Sequence, residues 1–85
     1  MGQSDIKTTV NQATGNWLKR LRAEKNLSQT ELQNYLDVSR SYISNVEQGK
    51  KPLPLWRILQ LGRALKVDPS TAVQEIAKEV FANER

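Results

Sequence analysis

The sequence predicts an all-α fold of five helices, and three observations carry that prediction. Alternating apolar and polar runs, the mark of a half-buried strand, are nearly absent; the nearest is the short IKTTV segment at 6–10, which has no partner run. Apolar residues instead recur at threes and fours along most of the chain. Between these periodic stretches stand residues that start or stop helices: Ser28, Asp37, Ser39, Gly49, Pro52, Pro54, Asp68 and Pro69.

The first fourteen residues are polar and are expected to form a flexible arm. Val10, Trp17, Leu18 and Leu21 nevertheless fall at helical spacing, so the first helix can begin before Gly15 and take in part of that arm. It is expected to end near Asn26, with Trp17 in the core. The run S-Q-T-E at 28–31 has the composition of a capping box, in which Ser28 accepts from the Glu31 N–H and the Glu31 carboxylate reaches back, so a second helix starts at Gln29. Leu32 and Leu36 give it one apolar face. It must stop almost at once, because Asp37 tolerates left-handed geometry and Ser39 is a good N-cap. Two short helices thus meet across a three-residue turn.

The third helix is expected over 40–48, ended by Gly49, and KKPLP then forms a basic loop whose prolines forbid helical continuation. Pro54 suits the first position of a fourth helix, in which Leu55, Ile58, Leu59, Gly62 and Leu65 repeat at threes and fours. Asp68 and Pro69 cap and open a fifth, with Val73, Ile76, Ala77, Val80 and Phe81 on one stripe. There is no internal repeat and no low-complexity segment.

Composition narrows the chemistry. Eighty-five residues make one domain. With no cysteine and no histidine, disulfides, thiol chemistry, the usual zinc sites and imidazole catalysis are excluded. No enzyme activity, metal or cofactor is expected, and Asp68, Glu75 and Glu79 read as solvated charges on an amphipathic helix. No apolar stretch approaches the roughly 20 residues that cross a bilayer, and the N-terminus lacks a secretory pattern. A cytoplasmic protein with no membrane partner and no evident small-molecule ligand is expected. The formal charge is +4 and unevenly placed: residues 16–66 hold ten Lys or Arg against four Asp or Glu, whereas 67–85 hold two against four. The positive charge belongs to the middle of the chain, where it suits either a soluble surface or a polyanion.

The third helix decides between them. Turning each residue by about 100° from Arg40 puts Ile43 and Val46 near 300° and 240°, so the buried direction lies near 270°. The outward arc holds Ser41, Ser44, Asn45 and Gln48, with Arg40 and Tyr42 at its edges, and no acid; Glu47 turns back toward the core. An ordinary exposed helix mixes Lys and Glu, whereas this one offers small hydroxyls, amides and one guanidinium. Those groups suit base edges: Arg pairs with guanine, Asn or Gln with adenine, and Ser is short enough for close approach. The helix N-terminus at 39–42 adds positive potential toward a polyanion.

Four motifs in order, L-x-x-L-R at 18–22, L-S-Q-T-E-L at 27–32, L-D-V-S-R-S-Y-I-S at 36–44 and E-Q-G-K-K-P at 47–52, resemble the XRE/Cro-type, lambda-repressor-like helix-turn-helix family. The likeness covers about residues 15–67. It implies a compact five-helix bundle that binds double-stranded DNA as a homodimer, usually to repress or otherwise control transcription. It divides the chain into the arm (1–14), a helix-turn-helix core (15–67) and a C-terminal helix (68–85) that is a candidate dimerisation element. It implies base contacts from Arg40, Ser41, Ser44 and Asn45. Phosphate contacts are expected from Ser28, Gln29, Ser39, Tyr42, Lys50 and Lys51. Arg22 and Glu47 match a pair that in relatives joins the first helix to the third as a largely buried ion pair. Asp37 stands where the turn commonly has Gly, Gln33 replaces a small residue of the second helix and Gly62 an Ala of the fourth, which suggests that a close helix contact has shifted between them.

Trp56, Val73, Ile76, Val80 and Phe81 are candidates for a dimer interface, or the last helix closes the core of a monomer. A different reading keeps the same frame as a protein-interaction module, such as an antitoxin or anti-repressor.

Overall fold

A computed structural model describes residues 3–82, with side chains from Ile6 onward. It contains α1 (Gln3–Lys25), α2 (Gln29–Leu36), α3 (Arg40–Glu47), α4 (Leu55–Leu65) and α5 (Pro69–Ala82), and no strand among the described residues. Residues 1 and 2 of the expected arm and 83–85 of the expected C-terminal segment lie outside the described residues.

The largest departure from expectation is at the start. Helix α1 begins at Gln3, so residues 3–14, expected as an arm, are helical. Ala13 and Thr14 are buried, and the Thr14 hydroxyl donates to the Val10 carbonyl at 2.7 Å. Ala13, Trp17 and Leu21 give this helix an apolar stripe that packs on α5; the polar residues take the other face, which is why composition alone reads the segment as solvated. Asn16 donates to Glu79 at 2.8 Å and Arg20 pairs with the same carboxylate at 3.6 Å, while Leu21 shares a cleft with Thr71 and Ala72. The two helices therefore run antiparallel.

Local chemistry sets the remaining boundaries. Both halves of the capping box at α2 form: the Glu31 N–H donates to Ser28 Oγ at 3.0 Å, and the Ser28 N–H to Glu31 Oε1 at 2.8 Å. Asp37 ends α2 in left-handed geometry (φ 56°, ψ 49°), its N–H donating to the Gln33 carbonyl. Ser39 caps α3 by accepting from the Tyr42 N–H at 3.0 Å. Pro54 is the extended N-cap of α4 (ψ 159°) and not its first helical residue. Asn26 and Lys66 are also left-handed, at the ends of α1 and α4. Asp68 accepts from the N–H and hydroxyl of Ser70 at 3.0 and 2.8 Å, and these bonds hold its carboxyl below the usual range.

Leu18, Leu32, Leu36, Ile43, Val46 and Leu61 form the fully buried centre. The stripe expected on α5 divides. Ile76 and Val80, with Ala72, are in the core, so they close the monomer and are not available to a partner, while Val73 and Phe81 remain exposed. Their separation follows from geometry: α1 and α4 cover only one side of α5, and residues about 100° off that side stay in water. Gly62 has its own explanation. A Cβ there would stand 2.7 Å from the Val67 carbonyl and 3.3 Å from the Pro69 ring, so the link from α4 to α5, rather than α2, is what crosses close to it.

Candidate nucleic-acid interface

Helix α3 is fixed from behind by three residues of two helices, α1 and α2. Gly15 lets the α1 backbone approach its last turn: a Cβ at Gly15 would meet the Val46 carbonyl in a hard clash and the Glu47 carbonyl at 2.9 Å. Arg22 clamps the Glu47 carboxylate with Nε to Oε2 and Nη2 to Oε1 (3.0 Å), and its Nη1 donates to the Leu27 carbonyl at 2.9 Å. Gln29 Nε2 donates to Glu47 Oε1 at 2.9 Å. One carboxylate, its side chain 5% exposed, thus joins α1, α2 and α3. Donating to the Glu47 carboxylate raises the Arg22 pKa above its ordinary value.

This network changes the place of one expected phosphate ligand. The Gln29 amide is committed to Glu47, a third member of the ion pair that the sequence does not reveal; its position just after Ser28 is the only local signal. Tyr42 is likewise engaged. Its hydroxyl donates to the Pro52 carbonyl at 3.0 Å, so its only proton is spent on the basic loop rather than left for a phosphate. The Lys50 and Lys51 N–H groups donate to the Asn45 carbonyl at 2.8 and 3.3 Å, and both lysine side chains are exposed. Tyr42 and Asn45 therefore hold the loop against α3.

The outer side of α3 is different. Ile43, Val46 and Glu47 face inward; Arg40, Ser41 and Gln48 are exposed, and Ser44 and Asn45 half-buried. The side chains of Arg40, Ser41 and Asn45 make no hydrogen bond with any described residue, while Gln48 Nε2 donates to Ser44 Oγ at 3.0 Å. Ser28 and Ser39 sit exposed at the helix starts, their oxygens accepting from the backbone and their hydroxyl protons still available. Arg40, Lys50 and Lys51 supply positive charge, Glu47 is neutralised by Arg22, and Asp37 is the one exposed acid of the turn or α3. Eight residues of helix span about 12 Å, close to the width of a major groove. Trp56 on α4 and Val73 and Phe81 on α5 are exposed as well. Among the described residues no cluster of metal-ligating side chains occurs and no helix is long and apolar enough to cross a membrane.

A family model described as helix-turn-helix matches residues 18–71, from α1 to the first turn of α5. The chain belongs to the XRE-type helix-turn-helix family. Members of this family are DNA-binding transcriptional regulators. Control protein C.MunI of Mycoplasma sp is 36% identical to this helix-turn-helix protein over 66 residues, which is 76% of this chain and 89% of the relative. The clp gene regulator ClgR of Corynebacterium glutamicum has a solved structure that superposes with a TM-score of 0.77 at 25% identity, covering 88% of this chain and 80% of that one. The matched region contains the whole helix-turn-helix unit, α2 and α3, and the Arg22–Glu47 pair that secures it.

Proposed function

We infer that this XRE-type regulator is a cytoplasmic repressor that binds a palindromic operator as a homodimer, each copy laying α3 in the major groove. The observation that carries this reading is the outward surface of α3, which has no acid and keeps the polar groups of Arg40, Ser41 and Asn45 unspent. Arg40, Ser41, Ser44 and Asn45 read base edges. Ser28, Ser39, Lys50 and Lys51 hold phosphates; Gln29 and Tyr42 act mainly by fixing α2 and the loop, although Gln29 retains one amide proton for a backbone oxygen. One copy offers few contacts, and symmetry doubles them at the cost of requiring two inverted half-sites about 34 Å apart. A dimer lying over two grooves occludes any promoter it overlaps, which makes repression its direct outcome.

A second reading, a module that binds protein through the same frame, is favoured by the exposure of Val73 and Phe81 on α5. Selection from a random duplex pool separates the two. The operator reading expects inverted half-sites among the recovered fragments and an affinity that falls steeply with salt; failure to retain any duplex above background at low salt overturns it and leaves the protein-binding module.

A further inference from the structure

We propose that the second copy docks on the outer face of α4, around Trp56. The proposal rests on the homodimer reading above and names its contact.

The core side of α4 is set by Ile58 and Leu61. At about 100° per residue, Trp56, Leu59 and Arg63 lie on the opposite side, with Leu55 at its edge. Trp56 is 58% exposed, Leu55 59% and Leu59 49%. A free-standing surface helix does not require this. Together the three leave on the order of 300 Å² of side chain in water, the size of the largest apolar patch on an ordinary monomer. Two such patches face to face cover roughly 600 Å², close to the apolar share of a small but specific interface of about 1,200 Å². Gln60 and Arg63 flank the patch as a polar rim.

Trp56 is also ordered in advance. The Arg57 guanidinium stands 4.2 Å from the centroid of its ring, and Nη1 of the same group donates to the Leu36 carbonyl at 2.7 Å and to Gln60 Oε1 at 3.0 Å. The ring is thereby braced against the last turn of α2, so little side-chain freedom remains to be lost when a partner covers it. Trp is one of the residues that most often anchor an interface.

The other exposed apolar side chains, Ile6 and Val10 on α1 and Val73 and Phe81 on α5, have no such brace. The Trp56 face follows directly in sequence on the loop that carries Lys50 and Lys51. A two-fold axis there brings two basic loops, and the α3 helices before them, to neighbouring positions.

Sedimentation of the full chain without DNA, up to roughly 1 mM, where even a weak dimer is populated, tests the contact apart from operator reading. The parent and Phe81→Ser are expected to dimerise alike, while Trp56→Ala and Leu59→Glu, with unchanged helical circular dichroism, shift dissociation by tenfold or more toward monomer. If both α4 variants dimerise as the parent does, the proposed face is wrong; if Phe81→Ser is the monomeric one, the contact lies on α5. A parent that stays monomeric throughout, alone and on the duplex recovered by selection, removes the homodimer itself. Should Trp56→Ala fail to fold, the Leu59→Glu result decides.

Discussion

Glu47 accepts three hydrogen bonds, two from Arg22 and one from Gln29, and it is the residue on which the position of α3 depends most. A carboxylate buried to this degree is tolerable only while its partners stay. Arg22→Ala should therefore cost about 3–5 kcal/mol, a fall in Tm of roughly 15–30 °C in a domain of this size; urea denaturation with an unaltered m-value checks it, and a loss under about 1 kcal/mol would mean that Gln29 and water suffice. Arg40 is the opposite kind of residue, exposed and without an internal partner. Its removal should leave stability within about 0.5 kcal/mol. Operator binding should weaken by about 1–3 kcal/mol with relaxed preference at one position, measured by titrating operator variants; equal losses on every variant would move Arg40 from bases to backbone. The inward turn of Glu47 and the outward turn of Arg40 were open to sequence reasoning, since a helical wheel separates the two sides, while the pairing of Glu47 with Arg22 was implied by the family resemblance. The partners of Gln29 and Tyr42 were not, because they depend on distances between elements.

Helices α2 and α3 and the turn between them were legible because their signals are local: a capping box, a left-handed Asp37 and a second N-cap all lie within twelve residues of one another. The start of α1 was not, since the burial of Ala13 and Thr14 is created by α5 and α3 rather than by neighbours in sequence. Gly15 provides a test at this scale. Glycine inside a helix normally costs up to about 1 kcal/mol relative to alanine, so Gly15→Ala in an unhindered α1 would stabilise. Against the Val46 and Glu47 carbonyls it should instead destabilise by about 1–3 kcal/mol and weaken operator binding by displacing α3; a rise in Tm would refute the close approach. At α5, the lowered pKa of Asp68 favours the folded state while the carboxyl is ionised. That contribution is complete above the unfolded value and is lost as pH falls through the lower, folded one. Asp68→Asn should therefore melt below the parent near neutrality and converge with it on acidification to about pH 2; a gap independent of pH would assign the effect to shape alone.

Seen whole, the molecule puts its excess of positive charge in the segment that contains the helix-turn-helix, and its exposed Lys50 and Lys51 on a loop pinned by Tyr42. A lysine acting on the duplex through phosphate alone is blind to sequence, so Lys50→Ala should weaken all duplexes alike and lower the slope of log K against log salt by roughly one; an unchanged slope excludes Lys50 from the contact. The five-helix order could be read in advance from caps and periodicity, whereas the division of α5 between core and solvent required knowing where α1 and α4 lie. The chain reversals carry a further implication. Among the described residues Asn26, Asp37 and Lys66 turn left-handed with a side chain in place, and Gly49 does so without one. Asn and Asp tolerate this geometry, whereas Lys66 costs about 1–2 kcal/mol relative to glycine, a sizeable part of the 5–15 kcal/mol that holds a domain together. Glycine at Lys66 would restore that margin far from Arg40 and Ser44, and a lineage holding such a reserve can tolerate costly changes in its recognition helix while a new specificity evolves.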